Sequence, residues 1–181
     1  LKAHPHGIDL GPLQSRVPEI LSTASGKIEL CPQPIADDVP RLLARLAAGA
    51  SGLVLVGRRH LRSNNSWMHN VPMLMTGKER CTLQVHPTDA AHLEVEEGGR
   101  ATVTSRTGSL EALVEVTEEV MPGVVSLPHG WGHDRPGTSM TVASDHPGVN
   151  SNLLADDRVI DPLSGNAVLN GIPVEVTPAL S

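Results

Sequence analysis

The chain has 181 residues, 39% of them hydrophobic, a net charge of -6, and no Phe or Tyr. That allows one ordinary domain with an appended segment, built on a core of Val, Leu, Ile, Ala and Met. The mild acidity argues against nucleic-acid binding, which needs a basic stripe, and no apolar run reaches the ~18–20 residues of a membrane span.

No signal-peptide pattern opens the chain, which begins with Leu rather than Met and reads as a piece of a longer protein. Residues 1–50 are expected to be an N-terminal arm and helix, the tail of a preceding domain. The first 36 residues hold five prolines and little periodicity. Within them Thr23 to Leu30 reads as a turn feeding a short strand. Asp37-Asp38-Val39-Pro40 reads as a helix start, with acids at the positive dipole end and Pro in the first turn. Leu42, Leu43 and Leu46 make its apolar stripe and Gly49 ends it. Cys31 and Cys81 are too few for a disulfide framework and lack metal-ligand spacing. Both read as reduced thiols, and a cytoplasmic setting is expected.

From residue 51 to 181 the pattern is β. Leu53–Val56 and Cys81–His86 read as strands, and Pro87 opens a short helix. Gly98-Gly99 leads into Arg100–Arg106, and Thr107-Gly108 turns into a strand carrying Leu113, Val114 and Val116. Val124–Leu127 is a further strand, Pro128 to Pro147 a loop, and Ile172–Val176 a terminal strand. Short strands with few helices indicate a mainly β fold, a β-barrel.

Gly57 to Asn70 is an unusual stretch: it follows an apolar strand, carries three Arg, three Asn, two His and Trp67, and has no acid. Arg58, Arg59 and Arg62 offer forked donors that match phosphate oxygens, and Ser63, Asn64, Asn65 and Ser66 offer short polar arms for ring nitrogens and carbonyls. A solvated loop with surface ion pairs is the plainer alternative. Leu127 to Asp134 also follows a strand and places His129, Gly130, Trp131 and His133 together. Contact with a planar ligand, a structural loop, or a metal site all fit these types, and the Gly/Pro loop without an evident third ligand disfavours metal. Trp67 and Trp131 sit in polar stretches, which suits stacking surfaces as well as core edges. Neither a G-x-S-x-G elbow nor a Walker or dinucleotide glycine loop is present.

In order, these stretches resemble the C-terminal dinucleotide-binding domain of the molybdopterin oxidoreductases, the dimethyl sulfoxide reductase family. Ser25-Gly26-Lys27-Ile28-Glu29 resembles the junction preceding that domain, and Gly57-Arg58-Arg59-His60 through Asn65 its first cofactor loop. Val85-His86-Pro87-Thr88-Asp89-Ala90, Gly98 to Val103 and Ser105 to Gly108 resemble the barrel signature, with Arg100 at the family's acidic position. Pro122 to Val125, Pro128 to Trp131, Val149 to Leu153 and Asp161 to Gly165 resemble its closing segments. Asn170 stands where some members carry Lys.

The resemblance implies a double-psi β-barrel over residues 51–181 that holds molybdopterin guanine dinucleotide. In the family two such dinucleotides carry molybdenum or tungsten, and the metal ligand lies in upstream domains. The implied cofactor contacts are Gly57, Arg58, Arg59, His60, Arg62, Ser63, Asn64, Asn65 and Trp67 on one rim. His129, Gly130, Trp131, Asn152 and Asn170 complete them. No catalytic or metal-ligating residue is expected in this chain. The implied partners are the upstream catalytic domains of the same polypeptide, with an iron–sulfur domain among them. A stand-alone cofactor-binding subunit and a barrel that serves as an interaction module without cofactor are the alternative readings.

Overall fold

The computed structural model describes residues 2–49, 52–137 and 139–179. The chain divides into two compact units, Leu1–Ala48 and Gly49–Ser181. The expected domain boundary at residues 50 and 51 lies outside the described residues.

In the first unit Thr23 to Lys27 makes the expected turn, with the Gly26 N–H donating to Thr23 O at 3.0 Å and Thr23 Oγ1 to Lys27 O at 2.7 Å. No strand follows it among the described residues, since no neighbouring segment supplies a ladder. Helix α1 runs Gln33–Ala48, four residues earlier than the acids indicate. The Pro32 carbonyl accepts from Ile35 and Ala36 N–H and builds the first turn, where the missing N–H of Pro34 costs nothing. Pro40 therefore lies inside α1, whose residues all remain unburied, so water can satisfy the carbonyl that Pro40 leaves unpaired. Asp37 and Asp38 serve instead as i,i+4 and i,i+3 partners of Gln33 and Arg41.

The second unit is a closed barrel of β1 (Leu53–Arg58), β2 (Thr82–Val85), β3 (Arg100–Thr104), β4 (Ser109–Val116), β5 (Val124–Pro128) and β6 (Ile172–Pro178). Its strand order is β1-β5-β2-β4-β3-β6. The β1/β5 and β2/β4 pairs are parallel and the other four antiparallel. The expected mainly β class with few, short helices is what forms. Helix α3 (Pro87–Leu93) sits where Pro87 marks it; α2 (Pro72–Met75), α4 (Thr141–Asp145) and the 3-10 turn Ser151–Leu154 are additions. Those three are too short to show a hydrophobic period, and α4 interrupts the stretch read as loop from Pro128 to Pro147.

Leu83, Val85, Ala101, Val103, Val125 and Leu127 are wholly buried in the barrel interior, as in other small barrels filled by their own side chains. Full burial of each larger apolar side chain is worth about 1.5–3 kcal/mol. In β4 the buried set is Leu110, Ala112 and Val114, so Leu113 faces the other way from the core. Among the described residues the main core has no aromatic side chain; Met75, Cys81 and Trp131 form a separate small cluster. Among the described residues no helix is long and apolar enough to cross a membrane.

Candidate functional site

The parallel register of β1 and β5 places Gly57 beside Leu127 and Arg58 beside Pro128. Both strands therefore end at the same rim and launch their loops side by side. The chain entering β6 passes over this rim, the Gly171 N–H donating to Leu55 O at 2.8 Å. Between these segments lies a cleft of about 340 Å³, toward the small end of ligand sites. Its apolar lining is Leu55, Leu127, Ala155, Leu169 and Ile172; its polar lining is Arg59, His129, Ser151, Asn152 and Asn170, with Gly57 and Gly130. Among the described residues no acidic side chain lines it.

Arg59 and His129 converge on one atom. Asn65 Oδ1 accepts from Arg59 Nη1 at 2.8 Å and lies 2.9 Å from His129 Nε2. Asn64 and Asn65 have φ of 42° and 63°, a left-handed conformation that Asn tolerates. Gly130, at φ +88°, lets the two loops touch, because a Cβ there would stand 2.6 Å from Asn65 O. Asn170 Oδ1 accepts the Gly57 N–H at 2.7 Å and closes the side toward β6. Asn152 belongs to the turn capped by Asn150 Oδ1.

The structure thus gathers Gly57, Arg59, His129, Gly130, Asn152 and Asn170 around one cleft, with Asn65 bridging two of them. The remaining expected residues stand elsewhere. The Arg58 guanidinium turns along the barrel and donates to Ser126 O, Thr82 O and Thr82 Oγ1 at 2.9, 2.9 and 3.0 Å. Burial lowers its pKa against the attraction of Glu115. His60 Nδ1 accepts the Arg62 N–H at 3.2 Å; its pKa is lowered by burial and by Arg80, Arg58 and Arg62. Arg62 reaches toward Thr76 O, Ser63 is buried, Asn64 is exposed and Trp67 is 79% exposed.

Trp131 is 5% exposed and is not among the residues that line the cleft. Its ring centroid is 4.0 Å from that of His69, and His69 Nδ1 lies 2.8 Å from His133 Nε2. Burial, then His133 and Arg80, push His69 down to about 4, and burial lowers His133 as well. Among the described residues no group of three or more His, Cys, Asp or Glu could hold a metal ion. Ser151 and the apolar lining do not stand out in the sequence. Ser151 lies beside Asn152 in an Asn-rich turn, so proximity alone could have flagged it; the apolar lining residues read only as core.

Residues 53–173, about two thirds of the chain, match the family model for the molydopterin dinucleotide binding domain. A tetrathionate reductase of Salmonella typhimurium is 27% identical over 123 residues, which is 59% of this chain and 12% of that protein. The molybdopterin-containing subunit of arsenate respiratory reductase from Chrysiogenes arsenatis is 31% identical over 130 residues, 66% of this chain and 15% of that protein. Acetylene hydratase from Pelobacter acetylenicus shares the fold, with a TM-score of 0.64 at 23% identity over 87% of this chain and 24% of that one. The chain spans less than a sixth of the length of these two curated relatives.

Proposed function

The chain belongs to the molydopterin dinucleotide binding domain family, and from that premise we propose that the cleft at the ends of β1 and β5 holds part of a molybdopterin guanine dinucleotide. The observation that carries this is the make-up of the cleft: forked, imidazole and amide groups beside apolar side chains, with no acid among its described lining residues. That donor set fits an anionic, hydrogen-bonding, flat ligand. Arg59 would hold phosphate oxygens, steadied by Asn65. Ser151, Asn152 and Asn170 would orient polar ring edges, while Leu55, Leu127 and Ile172 keep water from one face of the ligand. When bound, the cofactor supplies the dithiolenes of a molybdenum or tungsten centre, and the protein contributes binding, orientation and electrostatics. No residue of this chain is assigned a proton-transfer or metal-ligating role.

The two interleaved parallel pairs support a double-psi barrel as the subtype. Because the chain covers so little of its relatives, the proposed partners are further catalytic domains of the same polypeptide, an iron–sulfur domain among them, and the proposed activity is a molybdenum-dependent oxidoreduction. The two free cysteines, Cys31 and Cys81, support the cytoplasmic setting.

The test is made on the full polypeptide that carries this chain, expressed in a host that makes the dinucleotide. Dinucleotide content per polypeptide is measured after denaturing release, for the parent and for Arg59→Ala with Asn152→Ala. Loss of two charge-assisted or polar contacts, at about 1–3 kcal/mol each, predicts a drop of tenfold or more in retention. Unchanged content in the double variant sinks the assignment of this cleft.

A further inference from the structure

The loops after β1 and β5 are joined twice. On the cleft side Asn65 meets His129 and Gly130. Away from the cleft lining, His69 meets His133 across 64 residues of chain at 2.8 Å, the two residues being 1% and 7% exposed. We propose that this His69–His133 pair is a latch that fixes the two rim loops to one another in the arrangement that forms the cleft wall. Its consequence for dinucleotide retention rests on the function proposed above.

The surroundings argue for a positioning role over simple packing. His69 rests on the Trp131 ring at 4.0 Å, tilted by 31°, and meets the His133 ring edge-on at 5.0 Å. Trp131 packs in turn with Met75 and Cys81. An aliphatic side chain at position 69 would fill such an apolar site without the desolvation that two imidazoles suffer. Among the described residues Trp131 Nε1 is buried with no hydrogen-bond partner, a destabilising arrangement that calls for an explanation other than stability. A hydrogen bond supplies one, because it sets a direction and a distance where apolar contacts would let the loops slide.

One N–H must lie between His69 Nδ1 and His133 Nε2, so two neutral rings suit the bond and two protonated rings cannot form it. Burial first, then His133, Arg80 and His60, oppose protonation of His69, while a hydrogen bond with the Gly130 backbone favours it. Asp134 acts on His133 in the opposite sense. Arg80 is itself held by Leu74 O and Thr76 O at 2.6 and 3.0 Å, so its charge stays near the pair. Trp131, expected from sequence at the cofactor, on this reading backs the latch from behind.

Amide replacements distinguish a directional bond from filled space. An Asn side chain places its amide where Nδ1 of His stands, and Gln places its amide where Nε2 stands. In the full polypeptide His69→Asn and His133→Gln should each keep the bond; His69→Gln, His133→Asn and the two Leu substitutions should break it. Hydrogen exchange read by mass spectrometry over residues 57–70 and 128–134 is the first measurement. Breaking variants should speed exchange about fivefold in both loops together, the scale of one buried hydrogen bond, with residues 82–116 unchanged. Dinucleotide content is the second, and should fall by a similar factor in the same variants.

Faster exchange in one loop only, or equal behaviour of all six variants, overturns the latch. If the parent holds no dinucleotide while the paired exchange pattern appears, the latch stands and the cofactor reading falls. If dinucleotide is held and depends on Arg59 and Asn152 while the paired exchange pattern is absent, the cofactor reading stands and the latch falls.

Discussion

The two loops that follow β1 and β5 build two unlike regions from the same residue types. On the cleft side Arg59, Asn65 and His129 are partly or fully exposed and bond to one another. Away from the cleft lining, His69, His133 and Trp131 are buried and stack. The neighbours Arg58 and Arg59 divide the same way, one turned along the barrel and one toward the cleft. Burial, more than residue type, separates the cleft edge from the packed side here: a polar side chain whose donors are already taken by the barrel has little left for a ligand, and one at a wet edge has much.

The largest expected effect contrasts the two tryptophans. Trp131→Ala should cost about 3–5 kcal/mol of stability, while Trp67→Ala, at a 79% exposed position, should stay within about 0.5 kcal/mol; urea midpoints compare them, and equal losses would erase the contrast. Gly130→Ala comes next. A Cβ at φ +88° and 2.6 Å from Asn65 O should cost about 2–4 kcal/mol from left-handed strain and overlap together, seen as a lowered melting temperature.

The histidine pair gives a pH signature of intermediate size. His69 titrates at about 4 when folded, below its ordinary value of 6.5, so the unfolded chain takes up its proton first as pH falls. Its contribution to stability is therefore complete above about pH 6.5 and is lost as pH drops toward 4, amounting to about 3 kcal/mol at most. His133, also lowered, acts in the same direction. Unfolding free energy measured across that window should slope upward with pH in the parent and flatten in His69→Asn; a flat parent profile would contradict the buried neutral pair.

The smallest contrast is between the adjacent arginines. Arg58→Ala should lose about 1.5–3 kcal/mol with its bonds to Thr82 and Ser126. Arg59→Ala should change stability by about 0.5 kcal/mol or less and register instead in dinucleotide content. The reverse outcome would exchange their roles.

Much of the barrel is legible in the order of residues. Alternation with turn residues at Gly98-Gly99 and Thr107-Gly108 locates β3 and β4, and the apolar runs locate β1 and β5, because a strand's two faces must segregate and turns need particular dihedrals. The start of α1 is not legible in the same way. Acids and a proline are good start signals wherever a helix begins, and Pro32-Gln33-Pro34 offers a first turn four residues sooner. That Trp131 and Arg58 do not line the cleft is not legible either, because side-chain type says nothing about which way a side chain turns at a strand end.

By itself the sequence determined the class of fold, the loops that carry polar chemistry and, through motifs in fixed order, the family. Local periodicity and short motifs encode these, since they depend on neighbours along the chain. Gly57 to Asn70 stands out as a whole for that reason. Tertiary structure alone decided which of its residues line the cleft and which are turned inward. The parallel pairing of β1 with β5 brings Asn65 to Gly130 and His69 to His133, contacts 64 or 65 residues apart, and no local rule specifies a register between strands so far separated in sequence.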